Sequence, residues 1–250
     1  LSGPEEQIFT LDLSEPVNTR LQKAVHVIAG FEMDLTNELS LNIEPYYKGF
    51  TQLIAVNRNK TEARDPDYVT ETGDAYGLDF LWKYQSRQWY LWATYSLGFV
   101  NRDDGFQVYP TIFDRRHNFN SLVTYKFGDT DAWEASARWN FGTGFPFTLT
   151  QGFHSLYDFR DGITTDVLSE NADLGVLYSA ERNGGRLPDY HRLDLSLKRT
   201  FTFSKEARLE ATLSVTNAYN RENIFFFDRV SYDRVDQLPI LPSLGLAFHF

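Results

Sequence analysis

Apolar and polar side chains alternate with a period of two residues along most of the chain. In the segment 207–215, Ala, Leu and Val occupy the odd positions, whereas Arg208, Glu210, Thr212 and Ser214 occupy the even positions. Such alternation is typical of a β-strand with one apolar face and one polar face. The pattern predicts about nine strands, at 20–35, 38–54, 74–86, 88–101, 117–128, 131–142, 189–203, 206–220 and 239–250.

No stretch of comparable length has helical periodicity, and no run of 18 apolar residues could form a transmembrane helix. The chain is therefore predicted to be all-β and antiparallel. The alternation also predicts which side chains share the apolar face, among them Trp139, Leu195, Leu209 and Leu213. Ser196 and Thr212 are expected on the opposite, polar face.

Short and long connections between the predicted strands alternate strictly. Tight polar turns are expected near 36–38, 86–88, 128–131 and 203–206, and long segments lie at about 55–73, 102–116, 143–188 and 221–238. Structureless loops beyond about 12–15 residues are uncommon in compact soluble domains. Outer-membrane β-barrels, in contrast, have short periplasmic turns on one rim and long extracellular loops on the other. The pattern predicts part of an antiparallel transmembrane β-barrel.

Composition supports a membrane barrel through its aromatic content, which is 16% of the chain. Aromatic side chains concentrate at the ends of predicted strands, where barrels carry girdles of rings at the membrane–water interface. These girdle candidates are Tyr46, Tyr47, Phe50, Trp82, Tyr84, Trp89, Tyr90, Trp92, Phe201, Phe203, Phe248 and Phe250. The alternative interpretation places the rings in the core of a soluble β-sandwich.

Charge and residue inventory exclude several functions. A net charge of -10 leaves little support for the basic surface that binds nucleic acid. The absence of cysteine excludes disulfides, cysteine nucleophiles and thiolate metal sites. The five histidines are scattered through separate segments, and no Gly-x-Ser-x-Gly elbow or convincing catalytic triad is present. We therefore expect no metal, no cofactor and no enzymatic activity.

Several segments resemble a known family of membrane proteins. The last strand, with Leu244, Leu246, Phe248 and a terminal Phe250, resembles the carboxy-terminal strand of outer-membrane proteins. An ordered series of further segments resembles the carboxy-terminal barrel half of TonB-dependent outer-membrane transporters, particularly the large Bacteroidetes-type receptors. The series comprises AVHVIAGFEMDL, LSLNIEPYYKGF, DAYGLDFLWKY, YPTIFDRRHNFN, ARWNFGTGFPFTLTQG, RLPDYHRLDLSL and LSVTNAYNRENI.

This resemblance implies a 22-stranded barrel, closed by an amino-terminal plug, in the outer membrane of a Gram-negative bacterium. Such a transporter imports a scarce extracellular ligand when the inner-membrane TonB complex pulls on the plug. The implied partners are outer-membrane lipid, the missing amino-terminal strands and plug, the TonB complex through that plug, and a surface lipoprotein. Phe248 and Phe250 are implied to be the signal that the barrel-insertion machinery recognises.

The predicted strand count independently indicates an incomplete barrel. Bacterial barrels are closed, and nine strands in an open sheet would expose two long unpaired edges to lipid. Residues 1–19 are expected to be an extracellular loop or incoming segment. Residues 20–250 are expected to form carboxy-terminal strands of a barrel that lacks its plug.

Candidate functional residues lie in the long segments. The segment 143–188 combines aromatic rings with hydrogen-bonding groups, which can bind sugars, peptides or flat chelates. The candidate ligand contacts are Phe145, Phe147, Gln151, Phe153, Tyr157 and Arg182. A lid that only restricts access is the alternative. Asp114, Arg115 and Arg116 are expected to hold a loop base through paired charges, and an anion-binding role is the alternative.

Three functional hypotheses thus remain open from the sequence. The first is part of a TonB-dependent transporter whose ligand is an iron chelate, cobalamin, a glycan or a peptide. The second is a structural or passive component of an outer-membrane barrel assembly. The third is a soluble carbohydrate-binding β-sandwich.

Overall fold

A computed structural model describes residues 21–156, 173–204 and 206–250. Apart from one 3-10 turn at Asp129–Asp131, the regular elements of these residues are β-strands. No helix in these ranges is long and apolar enough to cross a membrane. The strands are β1 (Lys23–Ile28), β2 (Phe31–Asp34), β3 (Leu39–Val56), β4 (Tyr68–Gln85), β5 (Trp89–Asp103), β6 (Val108–Pro110), β7 (His117–Phe127), β8 (Trp133–Gly142), β9 (Pro146–Phe147), β10 (Thr150–Leu156), β11 (Asp173–Tyr178), β12 (Gly185–Arg186), β13 (Tyr190–Thr202), β14 (Arg208–Thr216), β15 (Ile224–Phe227), β16 (Arg234–Asp236) and β17 (Leu241–His249).

One antiparallel sheet contains all the long strands. Nine strands follow one another in the order β1-β3-β4-β5-β7-β8-β13-β14-β17, while β2 extends the edge beside β3 and β6 pairs with β5. Chain neighbours are thus sheet neighbours, as in an up-and-down barrel wall. Within the described residues, the sheet is open, with β1 and β2 at one edge and β17 at the other. The all-β antiparallel prediction is confirmed.

Several strand predictions differ from the structure. The predicted strand 20–35 is interrupted between β1 and β2, where it lies opposite Pro45. Proline has no N–H to donate to the strand ladder, which explains the break. Strands β3 and β4 are longer than predicted, because pairing continues past a bulge between Phe50 and Leu53 into the segment predicted as a loop.

The described parts of the longest connections contain strands that the sequence did not predict. The segment 143–188 contains the paired strands β10 and β11 and the short pair β9 and β12. The segment 221–238 forms the hairpin of β15 and β16. Residues 1–19 and Tyr157, to which the sequence assigned roles, lie outside the described residues.

The strand register separates two faces of the sheet. Directly opposed residues in an antiparallel pair point to the same face. One row therefore runs across Leu41, Trp82, Ala93, Ser121, Trp139 and Leu193. The neighbouring row on the other face runs across Asn42, Leu81, Thr94, Asn120, Asn140 and Arg192. We call the first, apolar face the outer face and the second, polar face the inner face.

The outer face has no covering layer in the described part of the chain. Leu195 and Leu213 are 42% and 54% exposed, and only a few apolar residues in the described part of the chain, among them Leu53, Ala75 and Tyr109, are buried. A soluble β-sandwich would bury one face of each sheet against a second sheet. This single, uncovered sheet instead has the arrangement of a barrel wall, whose apolar face meets lipid.

Aromatic rings form two belts on the outer face, one near each end of the strands. Near the short turns, stacked pairs join Trp89 to Tyr125, Phe127 to Trp133 and Phe248 to Phe250. Near the long connections, close pairs join Tyr76 to Phe99 and Phe119 to Trp139. Such belts flank the apolar band of outer-membrane barrels.

Candidate functional site at the long-loop rim

The long connections all leave the sheet at the same end of its strands, which we call the long-loop rim. They are β3–β4, β5–β7, β8–β13 and β14–β17. The opposite end of the strands carries the tight turns and the carboxyl end of β17, and we call it the short-turn rim. Five polar side chains are buried in the described residues, and all lie near the long-loop rim. They are Glu71, Asp114, Thr148, Asn217 and Asn223. Buried polar groups need partners, and those partners fix the loops.

Asp114 anchors the base of the β5–β7 connection. Its carboxylate is fully buried and accepts hydrogen bonds from the Val100 backbone N–H and the Arg116 Nε, both at 2.9 Å. Arg186 also pairs with this carboxylate, and it donates to the Asp114 backbone carbonyl at 2.9 Å. Because Arg186 belongs to the long β8–β13 connection, this cluster ties two loops together.

Arg115 has a different environment from its neighbours. Its guanidinium lies 4.1 Å from the centre of the Phe145 ring and 5.8 Å from that of Tyr190. Burial lowers the pKa of this guanidinium, although the nearby Tyr190 and Asp189 oppose the shift. A Cβ at Gly142 would lie within 2.7 Å of several atoms of this side chain, so a larger residue there would displace the guanidinium. Arg115 therefore packs between the end of β8 and the β8–β13 connection.

A second cluster surrounds the buried Glu71, which is 3% exposed. The Tyr109 hydroxyl donates to Oε2 at 2.7 Å, and Arg182 donates to Oε1 at 3.2 Å. Arg182 also pairs with Asp104 at 2.8 Å, and its guanidinium lies 3.7 Å from the centre of the Tyr109 ring. Burial and the adjacent Glu71 carboxylate raise the pKa of Tyr109, which keeps its hydroxyl a donor.

Asn217 organises the base of the β14–β17 connection. It is fully buried with a positive φ of 54°, a conformation that asparagine tolerates better than most residues. Its side chain accepts from the Arg221 N–H at 2.9 Å and donates to the Arg221 and Leu238 carbonyls. Its own N–H donates to Asp194 at 2.9 Å. The start and end of the loop are thus held beside β13.

The β15–β16 hairpin packs against the β10–β11 hairpin. Arg229 donates to the Thr148 carbonyl and lies 5.3 Å and 5.2 Å from the ring centres of Phe147 and Tyr178. The Tyr232 ring meets the Phe153 ring edge-on at 6.0 Å. These contacts make one continuous surface from two loops that are distant in sequence.

Below this rim, the inner face carries an open recess of about 500 Å³. Its wall carries charges of both signs, with Glu44, Lys48, Asp79 and Arg115 among the lining residues. Tyr46 and Phe113 add aromatic surface. A hydrated wall of both charge signs can contact a polar protein segment or a polar ligand, and it does not select steeply for one ion.

The structure places the predicted ligand contacts in three environments. Phe145 and Phe147 lie beside Arg115 and Arg229, and Phe153 joins the contact between hairpins. Gln151 is exposed on β10. Arg182 forms ion pairs with Glu71 and Asp104, and its contact with a ligand stays a prediction.

Sequence reasoning missed several residues that shape this rim. Glu71, Arg186 and Arg229 each find partners on another loop, which a local pattern does not reveal. The run Ile224-Phe225-Phe226-Phe227 was a detectable signal, because four consecutive apolar residues in a loop break the alternation of the wall.

Comparison with solved structures assigns the fold. The chain is similar to FpvA of Pseudomonas aeruginosa bound to a heterologous pyoverdine, with a TM-score of 0.62 and 10% identity over 92% of this chain. It is also similar to the ferripyoverdine receptor of the Pseudomonas aeruginosa outer membrane bound to ferripyoverdine, with a TM-score of 0.60 and 11% identity over 94% of this chain. The ferric-catecholate import receptor Fiu of Escherichia coli is similar to it with a TM-score of 0.60 and 14% identity over 92% of this chain. The chain has the fold of a TonB-dependent receptor barrel wall.

This TonB-dependent receptor fold confirms the structural resemblance inferred from the sequence. The chain spans 27% of the length of the FpvA chain and 28% of the lengths of the other two. No protein-family model matches the sequence, and neither does any curated protein. The open sheet thus corresponds to part of the barrel wall of these longer receptors.

Proposed function

We propose that this chain forms nine neighbouring strands in the wall of a TonB-dependent transporter, which imports a scarce extracellular ligand across a bacterial outer membrane. The observation that carries the proposal is the open, two-faced sheet with the fold of these receptors. The outer face would contact lipid acyl chains. The inner face would contact the lumen and the plug.

The open edges support a larger assembly. Unpaired backbone N–H and C=O groups in hydrocarbon cost several kcal/mol each, so spanning sheets are closed. The edges formed by β1 with β2 and by β17 therefore need further strands of the same barrel. Coupling to the TonB complex would then pass through a plug, which the mixed-charge inner face is suited to contact.

The long-loop rim supports a role in ligand capture. Phe106, Phe113, Phe225 and Tyr232 are 84%, 75%, 75% and 67% exposed, although they belong to loops fixed by buried polar clusters. Rigid loops with exposed rings can bind a ligand at low entropic cost. Ferric chelates, cobalamin, glycans and peptides all offer surfaces that such rings can contact, and a surface lipoprotein would dock on the same rim.

Energy dependence of uptake is the decisive test. Cells that lack the gene would be complemented with the complete protein and supplied with labelled ligands from each of the four classes. We expect one ligand class to accumulate, and accumulation to stop when the TonB complex is inactivated. Accumulation that is unaffected by loss of the TonB complex would contradict the proposal and favour a passive barrel component.

A pair of variants tests capture by the loops. Tyr232→Ala should weaken ligand binding, because it removes the ring that joins two hairpins. Tyr125→Ala removes an aromatic ring from the belt at the opposite rim and is the matched control. Equal ligand affinity in both folded variants would show that the β15–β16 hairpin only restricts access and does not contact the ligand.

A further inference from the structure

One ionised side chain interrupts the apolar outer face. Among the outer-face positions of the described strands, from one aromatic belt to the other, Arg199 is the single Lys, Arg, Asp or Glu. The inner face, in contrast, carries many charges of both signs. A cation on a lipid-facing surface is costly unless it reaches the interface or a partner. Its position therefore calls for a specific explanation.

Aromatic rings hold this guanidinium in place. Its central carbon lies 4.7 Å from the centre of the Trp133 ring and 4.5 Å from that of Phe201. Arg199 is exposed, and it makes no side-chain hydrogen bond or ion pair with any described residue. Stacking on ring faces orients the guanidinium and leaves its N–H donors available in the plane.

Nearby carboxylates on the neighbouring strands are on the wrong side to neutralise it. Glu134 pairs with Lys198 at 2.9 Å, and Glu210 lies 3.7 Å from Arg208. Both belong to inner-face rows, whereas Arg199 shares a row with Trp133 and Ala211 on the outer face. The partner of Arg199 must therefore approach from the membrane side of the wall.

The depth of Arg199 identifies the chemistry of that partner. It lies within the aromatic belt next to the short-turn rim, three positions before the end of β13 at Thr202. In outer-membrane barrels this rim is periplasmic, so the adjacent leaflet presents phospholipid headgroups. Phosphate oxygens are matched geometrically by a planar guanidinium, which can donate two parallel hydrogen bonds.

We propose that Arg199, flanked by Trp133 and Phe201, is a binding site for the phosphate of a glycerophospholipid in the leaflet beside the short turns. This inference rests on the proposed function only for the placement of the wall in a membrane. The two rings pack against the upper acyl chains, and the guanidinium binds the phosphodiester. The site would fix the vertical position of this part of the wall.

Native mass spectrometry of the complete protein in detergent tests the site. The probes are phosphatidylglycerol and a diacylglycerol glycolipid that lacks phosphate. Arg199→Gln should bind phosphatidylglycerol about tenfold more weakly than the wild type, as expected for loss of one charge-assisted contact. Arg208→Gln, which removes the same charge from the inner face of the same rim, should bind it normally.

The outcomes separate this inference from the proposed function. Equal phosphatidylglycerol binding by wild type and Arg199→Gln would overturn the site, as would equally tight binding of the phosphate-free glycolipid. Loss of a bound protein rather than a lipid from Arg199→Gln would also overturn it. Each variant is first shown to be folded by its heat-dependent migration in detergent gels. TonB-dependent uptake is measured independently. A failure of the uptake test therefore does not affect the lipid site, and a failure of the lipid test does not affect the proposed function.

Discussion

Single buried polar residues hold the long-loop rim, whereas large apolar side chains remain exposed on the outer face. Asp114 and Asn217 are fully buried, but Leu213 and Leu244 on the outer face are 54% and 71% exposed. This is the reverse of a soluble domain, in which apolar residues fill the interior. Loop geometry therefore depends on a few charged and amide groups whose partners lie on other loops.

Asp114→Asn should destabilise the folded protein by up to about 3 kcal/mol, since loss of one partner from a buried ion pair leaves the other charge uncompensated. Partial solvation of Arg116 and Arg186, whose side chains are 35% exposed, limits the loss. Urea-induced unfolding in detergent measures it. Asp131→Asn is the control, because its exposed partner Arg87 lies 3.6 Å away and such pairs contribute about 0–1 kcal/mol. Equal effects would contradict this assignment.

Asp104 should make one loop contact sensitive to acid. Burial alone would raise its pKa, but the N–H groups of Gln107 and Phe106 and the Arg182 guanidinium outweigh burial and lower it. The stabilising contribution is therefore present above the unfolded pKa of about 4 and is lost as the pH falls through the lower folded value.

Hydrogen exchange of the segments 104–107 and 180–184 measures this loss. In the wild type, the protection factor, which corrects for the pH dependence of intrinsic exchange, should fall as the pH drops below about 4, because the contact breaks as the carboxylate is protonated. In Asp104→Asn the contact is weakened at all pH values, so the additional acid-induced change should be smaller. An identical acid response in both proteins would show that Asp104 does not control the contact.

At the scale of strands, periodicity predicted the wall well because each strand has one apolar face and one polar face, and alternation records this directly. Strands β7, β8 and β13 lie within two residues of their predicted bounds. The hairpin β15–β16 was not predicted, since its run of Phe residues lacks alternation. The break opposite Pro45 depends on sheet register, which a single sequence does not contain.

Adjacent residues on β13 provide a matched test of the two faces. Leu195→Arg should cost about 2–4 kcal/mol in folding from urea into lipid vesicles, because the charge enters hydrocarbon. Ser196→Arg should be tolerated, because Ser196 lies on the inner face between Ser136 and Ser214. Equal tolerance of both substitutions would end the assignment of the outer face to lipid.

The candidate site was predictable only in part. The aromatic content of 143–188 indicated a binding loop, and the Asp114-Arg115-Arg116 sequence indicated an ion-paired loop base. Arg186 and Glu71, which lie 72 and 38 residues from their partners Asp114 and Tyr109, could not be found from spacing. Such contacts depend on how the loops fold over the rim, and no local pattern encodes that arrangement.

At the scale of the whole molecule, the proposed function places the two rims on opposite sides of an outer membrane. The chain contains no cysteine, so single cysteines can report the position of chosen residues in the complete protein, with any others replaced. The informative variants are Gln151→Cys on β10, Asp129→Cys in a short turn and Leu195→Cys on the outer face.

Labelling these cysteines in intact cells with a water-soluble, membrane-impermeant maleimide tests this topology most directly. We predict that Gln151→Cys is labelled in intact cells and Asp129→Cys only after the outer membrane is permeabilised. Leu195→Cys should react with a lipid-soluble maleimide and not with the water-soluble reagent. Labelling of Asp129→Cys in intact cells as readily as Gln151→Cys, or of Leu195→Cys by the water-soluble reagent, would contradict the account.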